Sequence, residues 1–348
     1  MLSQMDIGED TERKPLRILY ISPTKPPKVQ GTDGLFTEIG YLRDFFGGDL
    51  ISLYPARSLP PLIPASLYGM HQILALKRYD EKVDIFHIFF PYMANFHVLR
   101  YLSKPIIYTI ISGMDVKCLP RSRPPCTLVV SSLYEADILR SRGFHHVHVV
   151  RPGIDLSQIQ VTPPPELDSK FVLLAGSAPW TRRQFDTKGF DLLLKVLTRL
   201  PKIRLICLWR GKLIREWSDR IQSFGLADRV EIIQKKADIS GILSRCHAAV
   251  VLSATSDQVK SYPNSLMEAL AAGRPVLVSR SNPMSYYVED NGCGKVIEEL
   301  CLEELVAAIG EIMDEYSTLT RAALVAGRGL SATRMIEDYR ILYQDVRE

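Results

Sequence analysis

The residues of this chain best suited to chemistry fall between Ser261 and Ser279: Ser-Tyr-Pro-Asn-Ser-Leu-Met-Glu-Ala-Leu-Ala-Ala-Gly-Arg-Pro-Val-Leu-Val-Ser. Pro263 and Asn264 close a loop, Asn264 or Ser265 is the expected cap of a first helical turn, and Leu266 to Ala272 are good helix formers. Gly273 suits the left-handed position after a last turn, Pro275 forbids continuation, and Val276 to Val278 has the composition of a parallel strand. A helix starting soon after an apolar strand (His247 to Leu252) turns free N–H groups and the positive end of its dipole toward an anion. Glu268, one turn in, is placed to accept hydrogen bonds from a sugar diol. The same pattern fits an ordinary strand–loop–helix unit of any α/β domain, and spacing alone does not separate the two.

A second candidate loop lies near the start of the chain. Strand Leu16–Ser22 runs into a Pro-, Gly- and Lys-rich loop, Pro23 to Gly34, and then into a helix with apolar residues at Leu35, Ile39, Leu42 and Phe46. This order resembles a phosphate-approaching turn, although no G-x-G-x-x-G is present and Gly31 and Gly34 serve equally well as plain turn glycines.

The elements that must position these loops alternate. Strands are expected at 50–54, 84–90, 105–112, 127–131 and 146–150, with helices at 67–79 and 133–142, which predicts a parallel, doubly wound sheet. In such sheets ligands sit at the carboxyl ends of strands, so Pro23 to Gly34, Phe89 to Tyr92, Ser112-Gly113 and Arg151 to Asp155 share one rim. Thr162-Pro-Pro-Pro-Glu-Leu-Asp168 reads as a linker, after which the alternation restarts. The expected divisions are a disordered leader (1–15), a first α/β domain (16–160), the linker (161–168) and a second α/β domain (169–332). The last helix, Thr333 to Val346, is long enough to return to the first domain.

Bulk properties exclude several classes. Hydrophobic residues make up 46% of the 348 and charged ones 24%, a globular balance. No apolar run reaches the ~18 residues of a spanning helix, and the acidic start is not a signal peptide. A net charge of +4 with no basic block argues against nucleic acid. The six cysteines form no C-x-x-C pair and read as thiols of a reducing cytoplasm.

Two α/β halves, a Pro-rich hinge and Pro263-Asn-Ser-Leu-Met-Glu-Ala-Leu-Ala-Ala-Gly-Arg-Pro-Val276 together resemble the GT-B glycosyltransferases, specifically the retaining glycosyltransferase family 4. Val149-Val-Arg-Pro-Gly-Ile-Asp155, Lys188-Gly-Phe-Asp-Leu-Leu-Leu194 and Glu289-Asp-Asn-Gly-Cys-Gly294 support the likeness in the same order. The resemblance implies two Rossmann-like domains facing each other across a cleft, with a nucleotide-sugar donor on the second and an acceptor on the first. It makes Lys188 the lysine that neutralises the donor diphosphate, with Arg182 or Arg183 replacing an arginine that is absent after Gly176. It makes Glu268 the ribose-binding carboxylate and Asn264, Ser265 and Leu266 the backbone donors to phosphate, with Tyr262 and Pro263 also among the donor-binding residues. Gly31 matches the second glycine of a Gly-Gly loop. His87, which survives from another family position, is either a catalytic residue or a core histidine.

No Asp-x-Asp occurs anywhere in the sequence, so the departing diphosphate is expected to rely on Lys188, an arginine and the helix N-terminus, with no metal and no cofactor. Two departures stand out. Lys260 occupies the position, eight residues before Glu268, where the family has a glutamate for the donor sugar, and Ser112 stands where a histidine is usual. Lys260 pairs with an acidic or modified sugar, or it marks a catalytically silent GT-B protein that binds a glycan or a partner transferase; a sugar-nucleotide epimerase is the third reading. The acceptor is a small molecule, a glycan or a lipid-linked sugar. The segment from Leu53 to Tyr79, with Lys77, Arg78 and Lys82, is either an acceptor-side cover or a contact with anionic lipid, on a cytoplasmic protein.

Overall fold

The computed structural model describes residues 16–24, 34–55, 63–113, 126–167, 170–209, 212–234 and 238–347. The expected leader, Gly31 and Cys118 lie outside them.

Two six-stranded sheets form the frame, and every pairing in both is parallel. The first has the order β2-β1-β3-β4-β5-β6, from β1 Ile18–Ser22, β2 Asp49–Ser52, β3 Ile85–Phe90, β4 Ile106–Ile110, β5 Thr127–Val130 and β6 Val147–Val149. Helices α1 Gly34–Phe46, α2 Ile73–Asp80 and α3 Leu133–Ser141 accompany it. The second has the order β12-β11-β10-β7-β8-β9, from β7 Phe171–Ala175, β8 Ile203–Leu208, β9 Val230–Ile233, β10 Ala248–Val251, β11 Val276–Ser279 and β12 Gly294–Ile297. Its helices are α4 Arg183–Thr187, α5 Phe190–Arg199, α6 Ile214–Ser223, α7 Ile239–Leu243, α8 Asn264–Ala271, α9 Met284–Asp290, α10 Leu302–Asp314 and α11 Tyr316–Arg328. This is the GT-B arrangement of two Rossmann-like domains.

The central strands β1, β3, β4, β10 and β11 are buried along their whole length, as near-continuous apolar runs in a sheet covered on both faces require. The closing helix, α12 Ala332–Arg347, leaves the second domain and packs on the first sheet. There Met335, Ile336, Tyr339, Leu342 and Tyr343 share a cluster with Leu35, Ile39, Ile85 and Phe89.

The chain crosses between domains side by side at two places. Ile154 and Ser331 form a parallel bridge, and Gly153 lies so close that a Cβ would meet the Ser331 carbonyl oxygen at 2.3 Å. Fully buried Arg274, from the Gly-Arg-Pro-Val run, fixes the start of the linker. Its guanidinium donates to the Thr162 carbonyl at 3.2 Å, the Thr162 hydroxyl at 3.0 Å and the Pro163 carbonyl at 3.3 Å.

Some elements differ from the sequence expectation. The helix expected over 67–79 is two short 3-10 turns followed by α2, because Gly69 at φ 82° breaks the run. Helices α4, α9 and α11 and strand β12 were not anticipated. In α11, Gly327 lies against α8, where a Cβ would fall 2.5 Å from the Ala271 backbone, so its small residues replace the apolar stripe that signals a helix.

Candidate active site

Three segments of the second domain meet where β7 and β10 end. Gly176 follows β7, and a Cβ there would sit 2.3 Å from the Ser265 hydroxyl, so only glycine lets this turn approach the start of α8. Ser177, the next residue, adopts a left-handed conformation at φ 61°, unusual for a residue with a side chain. Lys188 caps α4 at its C-terminal end and is 4% exposed. Its ammonium donates to the Ser177 carbonyl and hydroxyl oxygens, both at 3.3 Å. Burial is the cause that lowers its pKa to about 8, so the ammonium is under-stabilised in this pocket.

Helix α8 begins as expected, with one correction. Neither Asn264 nor Ser265 caps it: Pro263 occupies the cap position with no side-chain bond, and Asn264 is the first helical residue. The amides of Leu266 and Met267 turn back onto the Pro263 carbonyl at 3.0 and 3.1 Å. Asn264 and Ser265 therefore carry the first-turn amides that point out of the helix, whereas the Leu266 amide, expected as a third donor, is already engaged. Leu266 is fully buried, and so is Tyr262 at 2% exposure, where it packs against Tyr287; both are core residues that set the angle of the helix. Pro263 is buried as well. Gly273 takes the left-handed position at φ 75°. Glu268 is half-buried, and its charge reaches Tyr41 of α1 across the cleft.

The other expected residues separate. His87 is fully buried in the first sheet. Its Nδ1 lies 2.7 Å from the Tyr343 hydroxyl and its Nε2 2.8 Å from the Thr109 hydroxyl. Burial holds its pKa well below the usual histidine range. With both ring nitrogens taken by core partners, it joins α12 to the sheet and is not a catalytic group. The Arg182 side chain is 83% exposed and pairs with Glu216 of α6 at 3.0 Å. Arg183 opens α4 at the surface. Gly31 lies outside the described residues; at Gly34, three residues on, a Cβ would sit 3.0 Å from Asn264 Oδ1 and 3.2 Å from Lys260 Nζ.

Lys260 lies on a strut from the second domain to the first. It forms an antiparallel bridge with Ser112, and the Ser261 amide donates to the Ile111 carbonyl at 3.0 Å. Its ammonium pairs with buried Glu38 of α1 and donates to Asn264 Oδ1 at 3.2 Å. The Ser261 hydroxyl donates to Glu135 of α3 at 2.7 Å. Burial raises the Glu135 pKa to about 7, with the Ser261 and Ser132 hydroxyls acting in the opposite sense. Glu38 and Glu135 escaped the sequence reading because each sits on an ordinary amphipathic helix more than a hundred residues from its partner.

Among the described residues no helix is long and apolar enough to cross a membrane. No group of three or more His, Cys, Asp or Glu that could hold a metal ion occurs among them.

Comparison with known proteins agrees with this frame. Residues 180–325 match the family model of the glycosyl transferases group 1. The D-inositol 3-phosphate glycosyltransferase of Mycobacteroides abscessus is 27% identical over 237 residues, 61% of this chain and 53% of the relative. The chain thus spans about half the length of that relative. Among solved structures, a sucrose-phosphate synthase from Thermosynechococcus elongatus superposes with TM-score 0.73 at 16% identity, covering 95% of this chain and 98% of its own. Anabaena Alr3699/HepE, solved with UDP and glucose, gives TM-score 0.70 at 14% identity, covering 95% and 100%. The fold is that of the GT-B glycosyltransferases, and residues 180–325, which include Lys188 and α8, match the group 1 glycosyl transferases.

Proposed function

We propose that this chain is a glycosyltransferase that moves a sugar from a nucleoside diphosphate to an acceptor hydroxyl. We read it as retaining, like the family 4 enzymes it resembles, and as working without a metal or cofactor. The observation that carries this reading is Lys188: a buried ammonium whose partners are two oxygens of Ser177, on a turn that also touches the start of α8. A desolvated cation and the outward amides of a helix are what a leaving diphosphate requires, since negative charge builds on its bridging oxygen as the glycosidic bond breaks. Glu268, one turn along the same helix, is then in position for the ribose hydroxyls. Bound UDP in the similarly folded Anabaena protein supports a nucleotide-sugar donor for this chain.

Uridine, guanosine and adenosine diphosphates, titrated into the protein by calorimetry with EDTA present, provide the test. Micromolar binding of one of them supports the site, and turnover of its sugar adduct supports the activity. Binding or turnover that appears only when magnesium or manganese is added back removes the metal-free mechanism. Failure of all three nucleotides to bind removes the site.

A further inference from the structure

Lys260 and Glu38 place opposite charges side by side at the mouth of the proposed donor site, and each comes from a different domain. Their side chains are 17% and 5% exposed, so the pair is largely out of water. The ammonium also touches Asn264 Oδ1, on the first residue of α8, at 3.2 Å. If the diphosphate rests on the opening turn of α8, the sugar attached to it lies within a sugar's width of Lys260 Nζ. Gly34 closes the other side: a Cβ there would meet Asn264 Oδ1 at 3.0 Å and Lys260 Nζ at 3.2 Å.

We infer that Glu38 and Lys260 together read the transferred sugar, and that they select a neutral sugar over an acidic one. This rests on the reading of the site given above. Taken alone, Lys260 would attract a sugar carboxylate. In the folded chain its charge is already balanced by Glu38, so an incoming carboxylate would share one ammonium with a second buried carboxylate and face its repulsion. A neutral sugar meets no such conflict, because its hydroxyls accept from the ammonium and donate to the carboxylate. The carboxylate that Lys260 displaces from the second domain is in this way returned by α1 of the first, and the reader is complete only when the two domains are together.

Glucose and glucuronate adducts of the tightest-binding nucleotide differ only by a C6 carboxylate, and calorimetry gives the affinity of each relative to the nucleotide alone. The wild-type chain is expected to favour the glucose adduct on the order of 100-fold, since a buried site rejects a charge it cannot pair. Glu38→Gln frees the ammonium and should shrink that preference at least about tenfold, while the affinity for the bare nucleotide stays within about twofold. Equal wild-type affinity for the two adducts overturns the inference, as does an unchanged preference in a folded Glu38→Gln variant. If that variant does not fold, the wild-type ratio alone decides. Loss of all nucleotide binding by the wild-type chain is a different result: it defeats the site assignment itself, and this inference with it.

Discussion

The two buried lysines near the start of α8 differ in one respect. Lys188 has neutral oxygens for partners, and burial lowers its pKa to about 8. Lys260 has a carboxylate, Glu38, brought from the other domain. Burial makes any lone charge costly, and a protein tolerates the cost where a ligand or a partner relieves it. Lys188 is thus left for an anion that the chain itself does not supply, whereas Lys260 is satisfied before any ligand arrives. The first is built entirely within the second domain; the second exists only as a bridge.

The contrast is broken most directly by removing each cation in turn. Lys188→Ala should weaken nucleoside diphosphate binding about 100-fold, about 2.7 kcal/mol, whereas Lys260→Ala should change it less than about threefold. Equal losses in calorimetry would mean that the two lysines play one role.

The next effect falls on the strut that carries Lys260. Glu135 has a folded pKa of about 7, above its ordinary value of 4.5. Its stabilising neutral form is fully present below about pH 4.5 and is lost as the pH rises through 7. Wild-type protein should therefore lose roughly 2 kcal/mol relative to Glu135→Gln between pH 5 and pH 8. Thermal melts of both proteins across that range check it, and parallel curves would detach Glu135 from the strut's stability.

Glu268→Ala removes the proposed ribose contact without touching either lysine, and should weaken the nucleotide about tenfold, roughly 1.4 kcal/mol. An effect of the same size on a ribose-free diphosphate such as pyrophosphate would reassign Glu268 to another part of the ligand.

The smallest effect sharpens the account of Lys188. A group with pKa about 8 is mostly charged at pH 7.5 and mostly neutral at pH 8.5, so nucleotide affinity should fall about threefold between them. Binding at pH 8 should take up a proton, visible as a heat that depends on the buffer. A flat profile would show that the ammonium is already fully charged in the empty pocket.

Local chemistry was legible in the sequence, and cross-domain chemistry was not. The path from Pro263 to Val278 could be followed because proline, glycine and apolar runs act on their own neighbours. Composition assigns strands to 171–175 and 230–233, and β7 and β9 have those boundaries. Lys188 was found only through its likeness to a family, since nothing in Lys-Gly-Phe-Asp announces a buried ammonium. His87 misled because a histidine on an apolar strand looks the same in sequence whether it meets Tyr343 or a substrate. Its partner lies 256 residues away. Glu38 was invisible for the same reason: Lys260 reads as a reversal of charge until α1 is placed beside it.

The return of α12 has a consequence for how the molecule is made. The cluster over the first sheet is finished by Met335, Tyr339 and Tyr343, and the His87 hydrogen bond waits for the last of these. On a ribosome the first half emerges long before these residues do, and its exposed apolar face must be shielded meanwhile. The first half is not one unbroken piece of chain, so a cut at the hinge should yield a first fragment that aggregates until a peptide carrying α12 is supplied.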